Sequence, residues 1–282
     1  AGGSYIPAIL AGGPTIVEEM HGNVNPAFPG MEQPEPIGHN LTDLMDRMAS
    51  DVEASVGLAL DGDADRLGVV DEKGRFVTTL EVFSLLALYL LEHKGMRGAL
   101  VKGVTSSIML NRLGGKFGID VHEMRVGFKH IGPKMSEVDA LMGGEESGGF
   151  AFRGHIPERD GILSGLFLLD MMVKTGKKPS ELIEYLYSHV GPHYYRRDDV
   201  PFDSEQRSIV EKRLQEAKPD SLGGTKVAWQ DKVDGIRFIL QDGSWAIIRF
   251  SGTEPLLRIY AEAESHDRVD TLISEARGVA GV

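Results

Sequence analysis

The stretch ASVGLALDGDADRLGVV, Ala54–Val70, decides how the chain is read. Two short runs rich in Leu, Val and Ala flank an acidic turn, so DGDADR sits at a strand end, and DEKG before RFV adds a hairpin signal. Asp61, Asp63 and Asp65 alternate within the turn, and an extended or turning backbone lets alternate carboxylates converge on one hard cation. Oxygen-only ligands select magnesium or calcium over zinc. Three adjacent anions repel one another unless a cation offsets them. The residues alone leave a metal loop and a solvated acidic turn both open. A calcium EF-hand starting at Asp61 would put Glu72 at its twelfth position, but Arg66 stands where glycine is needed and the flanks are strand-like rather than helical. Leu58-Ala59-Leu60-Asp61-Gly62-Asp63 is also compatible with a haloacid-dehalogenase-type phosphatase, in which Asp61 would be the nucleophile.

Upstream, residues 22–38 (GNVNPAFPGMEQPEPIG) are proline- and glycine-rich, which excludes a helix or central strand. A helix follows at Leu41–Ser50. The amino-terminal AGGSYIPAILAGG lacks a positive n-region and cleavage pattern, so it reads as mid-domain sequence rather than a signal peptide. Downstream, Thr79 is the expected N-cap of an apolar helix, with Glu81 in its first turn and a stop at Gly95. Its core, Val82–Leu91, is too short for a bilayer, which needs ~20 residues. A strand at 99–104, a helix opened by Thr105, Ser106 and Ser107 and closed near Gly114 and Gly115, and a strand in DVHEMRV alternate as in a parallel α/β layer. Helices at 160–174 and 180–188 complete that layer.

The segment GPHYYRRDDVP, 191–201, is read as a second boundary. Beyond it lie an amphipathic helix in SEQRSIVEKRLQEA, the strands KVAWQ, GIRFIL, SWAIIRF and LLRIYAEAE, and a last helix at 268–276. Asp242-Gly243 is a hairpin pair, so this small α+β unit should hold a mainly antiparallel sheet. The expected domains are 1–75, 76–190 and 191–282.

The chain has 282 residues, 41% of them hydrophobic, and a formal charge of −12. At ~100–200 residues per domain that length suggests two or three cores. Acids and bases are interleaved with no basic stripe, which argues against nucleic acid as a partner. Without cysteine there are no disulfides or thiolate metal sites, and a reducing cytoplasm is expected.

Two further loops carry candidate chemistry. Arg249-Phe250-Ser251-Gly252-Thr253-Glu254-Pro255 lies between two strands, and its hydroxyls, glycine backbone and guanidinium can cradle an anion, with Arg258 as a second cation. An ordinary turn would use the same residues. In Gly143-Gly144-Glu145-Glu146-Ser147-Gly148-Gly149 the glycines permit close backbone approach to a ligand, while Glu145 and Ser147 can read adjacent hydroxyls; a polar hairpin tip is the plainer reading. Lys129, in RVGFKH, follows a glycine turn at a helix start, where it could stabilise phosphate or exchange a proton. His189 and His193 have zinc-like spacing, but Gly191 and Pro192 interrupt the helix between them, and the remaining histidines carry no assigned chemistry.

In order, DGDADR, VGFKH, GGEESGG, IPERDG and RFSGTEP resemble the active-site loops of the α-D-phosphohexomutase superfamily, over essentially the whole chain. The resemblance implies four domains around a central cleft, three α/β and one α+β, of which this chain would hold the end of the second, the third and the fourth. It implies one Mg2+ on Asp61, Asp63 and Asp65 with Arg66 beside them, sugar hydroxyls on Glu145 and Ser147, and the non-reacting phosphate on Arg249, Ser251, Gly252 and Thr253. Lys129 matches a lysine proposed as general acid or base, and Lys129 and Arg66 are the implied catalytic pair. The implied reaction interconverts hexose 1-phosphate and 6-phosphate through a phosphoserine enzyme and a bisphosphosugar, with a glucose 1,6-bisphosphate-type activator. Glucose is the expected hexose and mannose the next, because the Glu145–Gly149 motif is closer to those branches than to the glucosamine branch. No Thr-Ala-Ser-His-Asn-Pro-like serine loop occurs in these residues, so this chain alone is expected to be inactive. A non-catalytic sugar-phosphate-binding protein is the remaining alternative.

Overall fold

A computed structural model describes residues 1–282 other than Glu32, Asp203, Ser204, Gln206, Thr253 and Glu254. The chain forms two compact units, Ala1–His189 and Val190–Val282.

The first unit opens with the short helix α1 (Tyr5–Leu10), followed by the proline-rich stretch, a 3-10 turn at 38–40 and α2 (Thr42–Ser50). The decisive stretch folds as expected: β1 (Gly57–Leu60) and β2 (Leu67–Val70) pair antiparallel across DGDADR, and β3 (Phe76–Val77) adds to β2. Leu41, Met48 and Val70 close a small core between α2 and this sheet.

Thr78, not Thr79, caps α3 (Thr79–Leu88), because the threonine hydroxyl accepts from the Glu81 N–H while the Glu81 carboxylate accepts from the Thr78 N–H. This reciprocal box satisfies two otherwise orphaned donors. Apolar on nearly every side, α3 is buried along its length and runs into a π-helical turn at 89–93.

A second sheet has the order β5-β4-β6-β7, made of β4 (Leu100–Gly103), β5 (Val121–Met124), β6 (Met142–Gly144) and β7 (Phe150–Phe152). β4 pairs parallel with both β5 and β6, and β7 closes the sheet antiparallel. The helix between β4 and β5 is α4 (Met109–Phe117). It starts after the Thr105–Ser107 turn, where the Ser107 hydroxyl accepts from the Met109 N–H at 2.9 Å. It also continues past Gly114 and Gly115 to the left-handed Gly118, because Gly114 faces Val121 where a Cβ would not fit. Next, α5 (Phe128–Glu137) links β5 to β6, while α6 (Gly161–Thr175) and α7 (Pro179–Val190) follow β7. Asp160 caps α6 by accepting from the Leu163 N–H at 2.8 Å.

The second unit is α+β. The segment read as a boundary contains β8 (Tyr194–Pro201), whose charges disguise it: Arg196 pairs with Asp198 and Arg197 with Asp199, each two residues along one face. Such charge suits a sheet edge. After α8 (Arg207–Glu216) come β9 (Ser221–Leu222), β10 (Thr225–Asp231), β11 (Ile236–Leu240), β12 (Trp245–Phe250) and β13 (Leu256–Ala263), then α9 (His266–Ala280), longer than expected at both ends. The sheet order is β8-β13-β12-β11-β10-β9 with antiparallel pairing throughout. Asp242-Gly243 makes the tight β11–β12 turn, with Leu240 N–H on the Ser244 carbonyl at 2.9 Å. α8 and α9 cover one face through Val210, Leu214, Leu272 and Ile273 against Phe238, Ile248 and Ile259. Among the described residues no helix is long and apolar enough to cross a membrane.

Candidate functional site

In the first unit, the loop between β1 and β2 brings Asp61, Asp63 and Asp65 together, so that each can offer an oxygen within 4.8 Å of the others. The turn is tight, with the Ala64 N–H on the Asp61 carbonyl at 3.1 Å and Ala64 itself left-handed. Asp61 is buried and Asp63 exposed. Three hard anionic oxygens at this spacing fit a Mg2+- or Ca2+-type ion. Burial pushes the Asp65 carboxyl up to about 6; the Arg159 charge opposes the rise, and Asp61 and Asp63 add to it.

Arg66 secures the loop from within. Its backbone N–H and Nε donate to the two Asp61 oxygens at 3.1 and 2.5 Å, and another guanidinium nitrogen donates to Glu35 at 2.8 Å. Burial disfavours the Arg66 charge, but the bonds to Glu35 and Asp61 outweigh it and raise its pKa. Sequence reasoning missed Glu35: it lies 31 residues away in the proline-rich stretch, and no local pattern marks it.

The loop between β6 and β7 packs directly on the metal loop. Leu67 N–H donates to the Gly148 carbonyl at 3.0 Å, and Arg66 bridges Gly149 in antiparallel fashion. Glu145 lies at the junction. One carboxylate oxygen accepts from the Gly127 N–H at 3.1 Å, at the start of α5, and the other meets Arg159 at 3.3 Å. Burial raises the Glu145 pKa, opposed by Arg159 and the Gly127 N–H. Ser147 is half-buried in the same turn, and Lys129 is exposed on the first turn of α5. The glycines here do more packing than the sequence suggested. A Cβ on Gly143 would strike Met135, and one on Gly149 would strike the Arg159 stem.

Arg159 is the second residue the sequence did not single out, although its loop, IPERDG, was one of the ordered motifs. It reaches Asp65 at 2.5 Å as well as Glu145. Its loop is fixed by Gly161 N–H on the Ala64 carbonyl at 3.0 Å and Asp160 N–H on the Phe150 carbonyl at 2.9 Å.

In the second unit, Arg249 is the penultimate residue of β12, and Ser251 and Gly252 follow the strand; Thr253 lies outside the described residues. Arg249 is buried, 3.5 Å from Asp234, and its Nε meets no hydrogen-bond acceptor among the described residues. Arg258 lies directly opposite it on β13, so both guanidiniums leave the same face of the sheet. Ser251 is buried and its N–H bonds the Leu256 carbonyl at 2.8 Å. Gly252 is exposed, and a Cβ there would meet nothing within 4 Å among the described residues.

Neither His189 nor His193 belongs to a cluster of three or more metal-ligating side chains among the described residues. His193 Nδ1 bonds the Gly191 carbonyl at 2.9 Å, and His189 contacts Lys116. The phosphatase alternative fares no better. The Asp61 side chain is 1% exposed and Arg66 engages both of its oxygens, whereas a nucleophile must present an oxygen to its substrate.

Comparison with known proteins identifies the family. The chain matches the family models for phosphoglucomutase/phosphomannomutase alpha/beta/alpha domain II over residues 1–74, alpha/beta/alpha domain III over 80–190 and the C-terminal domain over 207–279. It is 33% identical over 269 residues to a phosphoglucomutase/phosphomannomutase of Thermococcus kodakarensis, covering 95% of this chain and 56% of that one. A phosphoglucosamine mutase of Sulfurovum sp. is 31% identical, covering 93% of this chain and 55% of that one. The crystal structure of the Paramecium phosphoglucomutase pp63/parafusin aligns with a TM-score of 0.72 at 27% identity, covering 88% of this chain and 51% of the other. The chain spans about half the length of the curated relatives it matches. With three family models in sequence and the acidic triad assembled where its motif predicts, the chain belongs to the phosphoglucomutase/phosphomannomutase family, the α-D-phosphohexomutases.

Proposed function

We propose that this chain carries the cation, sugar and phosphate grips of an enzyme that interconverts hexose 1-phosphate and hexose 6-phosphate. The observation that carries this reading is the convergence of Asp61, Asp63 and Asp65 beside Glu145, joined to it through Arg159. Asp61, Asp63 and Asp65 would hold Mg2+, which when bound offsets negative charge on a phosphoryl group in transfer. Arg66 orients Asp61 and thus acts as a positioning group. Glu145 keeps lone pairs beyond those given to Gly127 and Arg159, so it can accept from a sugar hydroxyl, with Ser147 adjacent. Lys129, exposed at the start of α5, is available to exchange a proton with a hydroxyl. Arg249, with Ser251, Gly252 and Thr253, would grip the phosphate that is not reacting, through charge-assisted and backbone bonds suited to either end of a bisphosphosugar. The phosphate itself would travel on a serine outside these residues, with a hexose 1,6-bisphosphate as activator. The three grips fall into the domains 1–75, 76–190 and 191–282.

Glucose 1-phosphate remains the first substrate to test and mannose 1-phosphate the second. Relatives of similar identity carry glucosamine names as well, so glucosamine 1-phosphate belongs in the same assay. The test is calorimetric binding of Mg2+ and of each hexose 1-phosphate to the 282-residue chain, together with turnover to the 6-phosphate. Binding without turnover is expected. Turnover by this chain alone would overturn the assignment of the phosphate carrier to another segment. Metal-dependent hydrolysis abolished by Asp61→Asn would instead restore the phosphatase reading.

A further inference from the structure

Arg159 holds the metal loop and the sugar loop with opposite ends of one guanidinium, at 2.5 Å to Asp65 and 3.3 Å to Glu145. Packing on one side holds the side chain in place, although it is 27% exposed. The guanidinium lies 5.6 Å over the Phe128 ring, and its stem runs against Gly149, where any Cβ would collide with it. The third guanidinium nitrogen, Nε, is buried with no hydrogen-bond partner among the described residues; Glu158 lies 3.6 Å away. Glu145 in turn anchors the start of α5 through the Gly127 N–H at 3.1 Å.

We infer that Arg159 is a positioning residue that couples cation occupancy of the Asp61–Asp63–Asp65 triad to the setting of Glu145 in the sugar loop. The inference rests on the triad being a cation site. Asp65 cannot serve a guanidinium and a divalent cation equally, because the two positive charges compete for the same carboxylate and repel each other. When the cation takes Asp65, Glu145 and the exposed Glu158 are the carboxylates left within reach of Arg159, and Glu145 is the nearer and the one in the sugar loop. The Arg159–Glu145 pair then tightens, and Glu145 and the Gly127 turn tighten with it. Coupling between two sites is reciprocal, so Glu145 must also favour cation binding, although it is not a ligand. The forked guanidinium is what makes this possible, since a lysine ammonium is a single point of charge.

The test is a double-mutant cycle read by Mg2+ titration calorimetry on the 282-residue chain, with hydrogen exchange over residues 127 and 143–149. In the parent chain, Mg2+ should slow exchange in those segments, and Glu145→Gln should weaken Mg2+ binding about fivefold, the lower end of typical coupling. In an Arg159→Met background, Glu145→Gln should cost no more than about twofold, the residue of through-space charge, and the exchange response to Mg2+ should vanish. Arg159→Lys keeps the charge without the fork, should lose the coupling in the same way, and serves if the Met variant does not fold. Equal effects of Glu145→Gln in both backgrounds, or an unchanged exchange response, would overturn the coupling while leaving the cation site intact. Absence of Mg2+ binding by the parent chain would overturn the cation site itself, and the inference with it.

Discussion

In the first unit, Asp61, Asp65, Glu145 and Glu35 are knitted together by Arg66 and Arg159, with Asp63 exposed beside them. In the second, Arg249 stands near the end of β12 with Asp234 at 3.5 Å, and the rest of its loop offers backbone and hydroxyl groups. The first region has more negative than positive charge packed at contact distance, so it is poised for a cation. The second has a buried guanidinium whose Nε has no acceptor among the described residues, so it is poised for an anion. Desolvated charge that lacks a full set of partners is costly in a fold, and both regions tolerate that cost in complementary senses. On the function proposed above, each region would take a ligand of opposite sign.

The comparison breaks most sharply at Asp63. It is exposed, so Asp63→Asn should leave the fold intact and remove a ligand. Mg2+ affinity by calorimetry should fall by at least about 100-fold, more than loss of an outer-shell partner usually costs. Phosphate binding by the second unit should not change. The converse variant is Arg249→Met, which should weaken hexose phosphate or inorganic phosphate binding about 10- to 100-fold, the worth of a charge-assisted bond, with Mg2+ affinity unaltered. Cross-effects of similar size in both titrations would show that the two charge problems are not separable.

Gly235→Ala sharpens the contrast on the structural side. Gly235 has φ +83°, and its Cβ would collide with the Ile248 carbonyl and press on Arg249. Stability of the second unit should fall by about 1–3 kcal/mol, read as a lower denaturant midpoint. Both tryptophans, Trp229 and Trp245, lie in this unit, so their fluorescence reports it alone. A midpoint equal to the parent would show that the Asp234–Gly235 turn yields freely.

The smallest effect concerns pH. Asp198 is lowered chiefly by its bond from Arg196, against a contribution from burial. Burial pushes Asp199 and Asp242 up, but Arg197 outweighs it at Asp199 and the Ser244 hydroxyl and N–H do so at Asp242; both end below the usual range. Folded values below unfolded ones mean that this stabilisation is complete above the ordinary carboxylate pKa, ~3.8 to 4, and is lost as pH falls through the depressed values. Asp242→Asn should flatten the acid limb of the tryptophan-monitored unfolding curve slightly. Glu145 is shifted the opposite way. A steeper acid limb in the variant would contradict the assignment.

Much of the fold was legible because its signals are local. Alternation around DGDADR, the Asp242-Gly243 turn and the apolar run of α3 each depend on neighbours within a few residues. The misreadings were also local in cause. Thr78 and Thr79 are equally good caps by type, and Glu81 reaching back to Thr78 chose between them. β8 was hidden by four consecutive charges whose pairing with one another two residues apart is visible only once the strand is formed. Gly114 and Gly115 read as a helix stop, yet the helix passes through them because Gly114 is needed where α4 touches Val121.

The sequence by itself determined the residue types of the site: a carboxylate triad, a glutamate–serine turn and an arginine–serine–glycine loop, each within one short motif whose chemistry follows from its composition. Tertiary structure alone decided which of these groups are tied and to what. Glu35 and Asp65 come from separate stretches, and Arg66 and Arg159 tie them into one charge network with Asp61 and Glu145. The reason is physical: a pattern within a few residues fixes local backbone geometry, whereas an ion pair between distant residues forms only after the hydrophobic cores have fixed the loops that carry them.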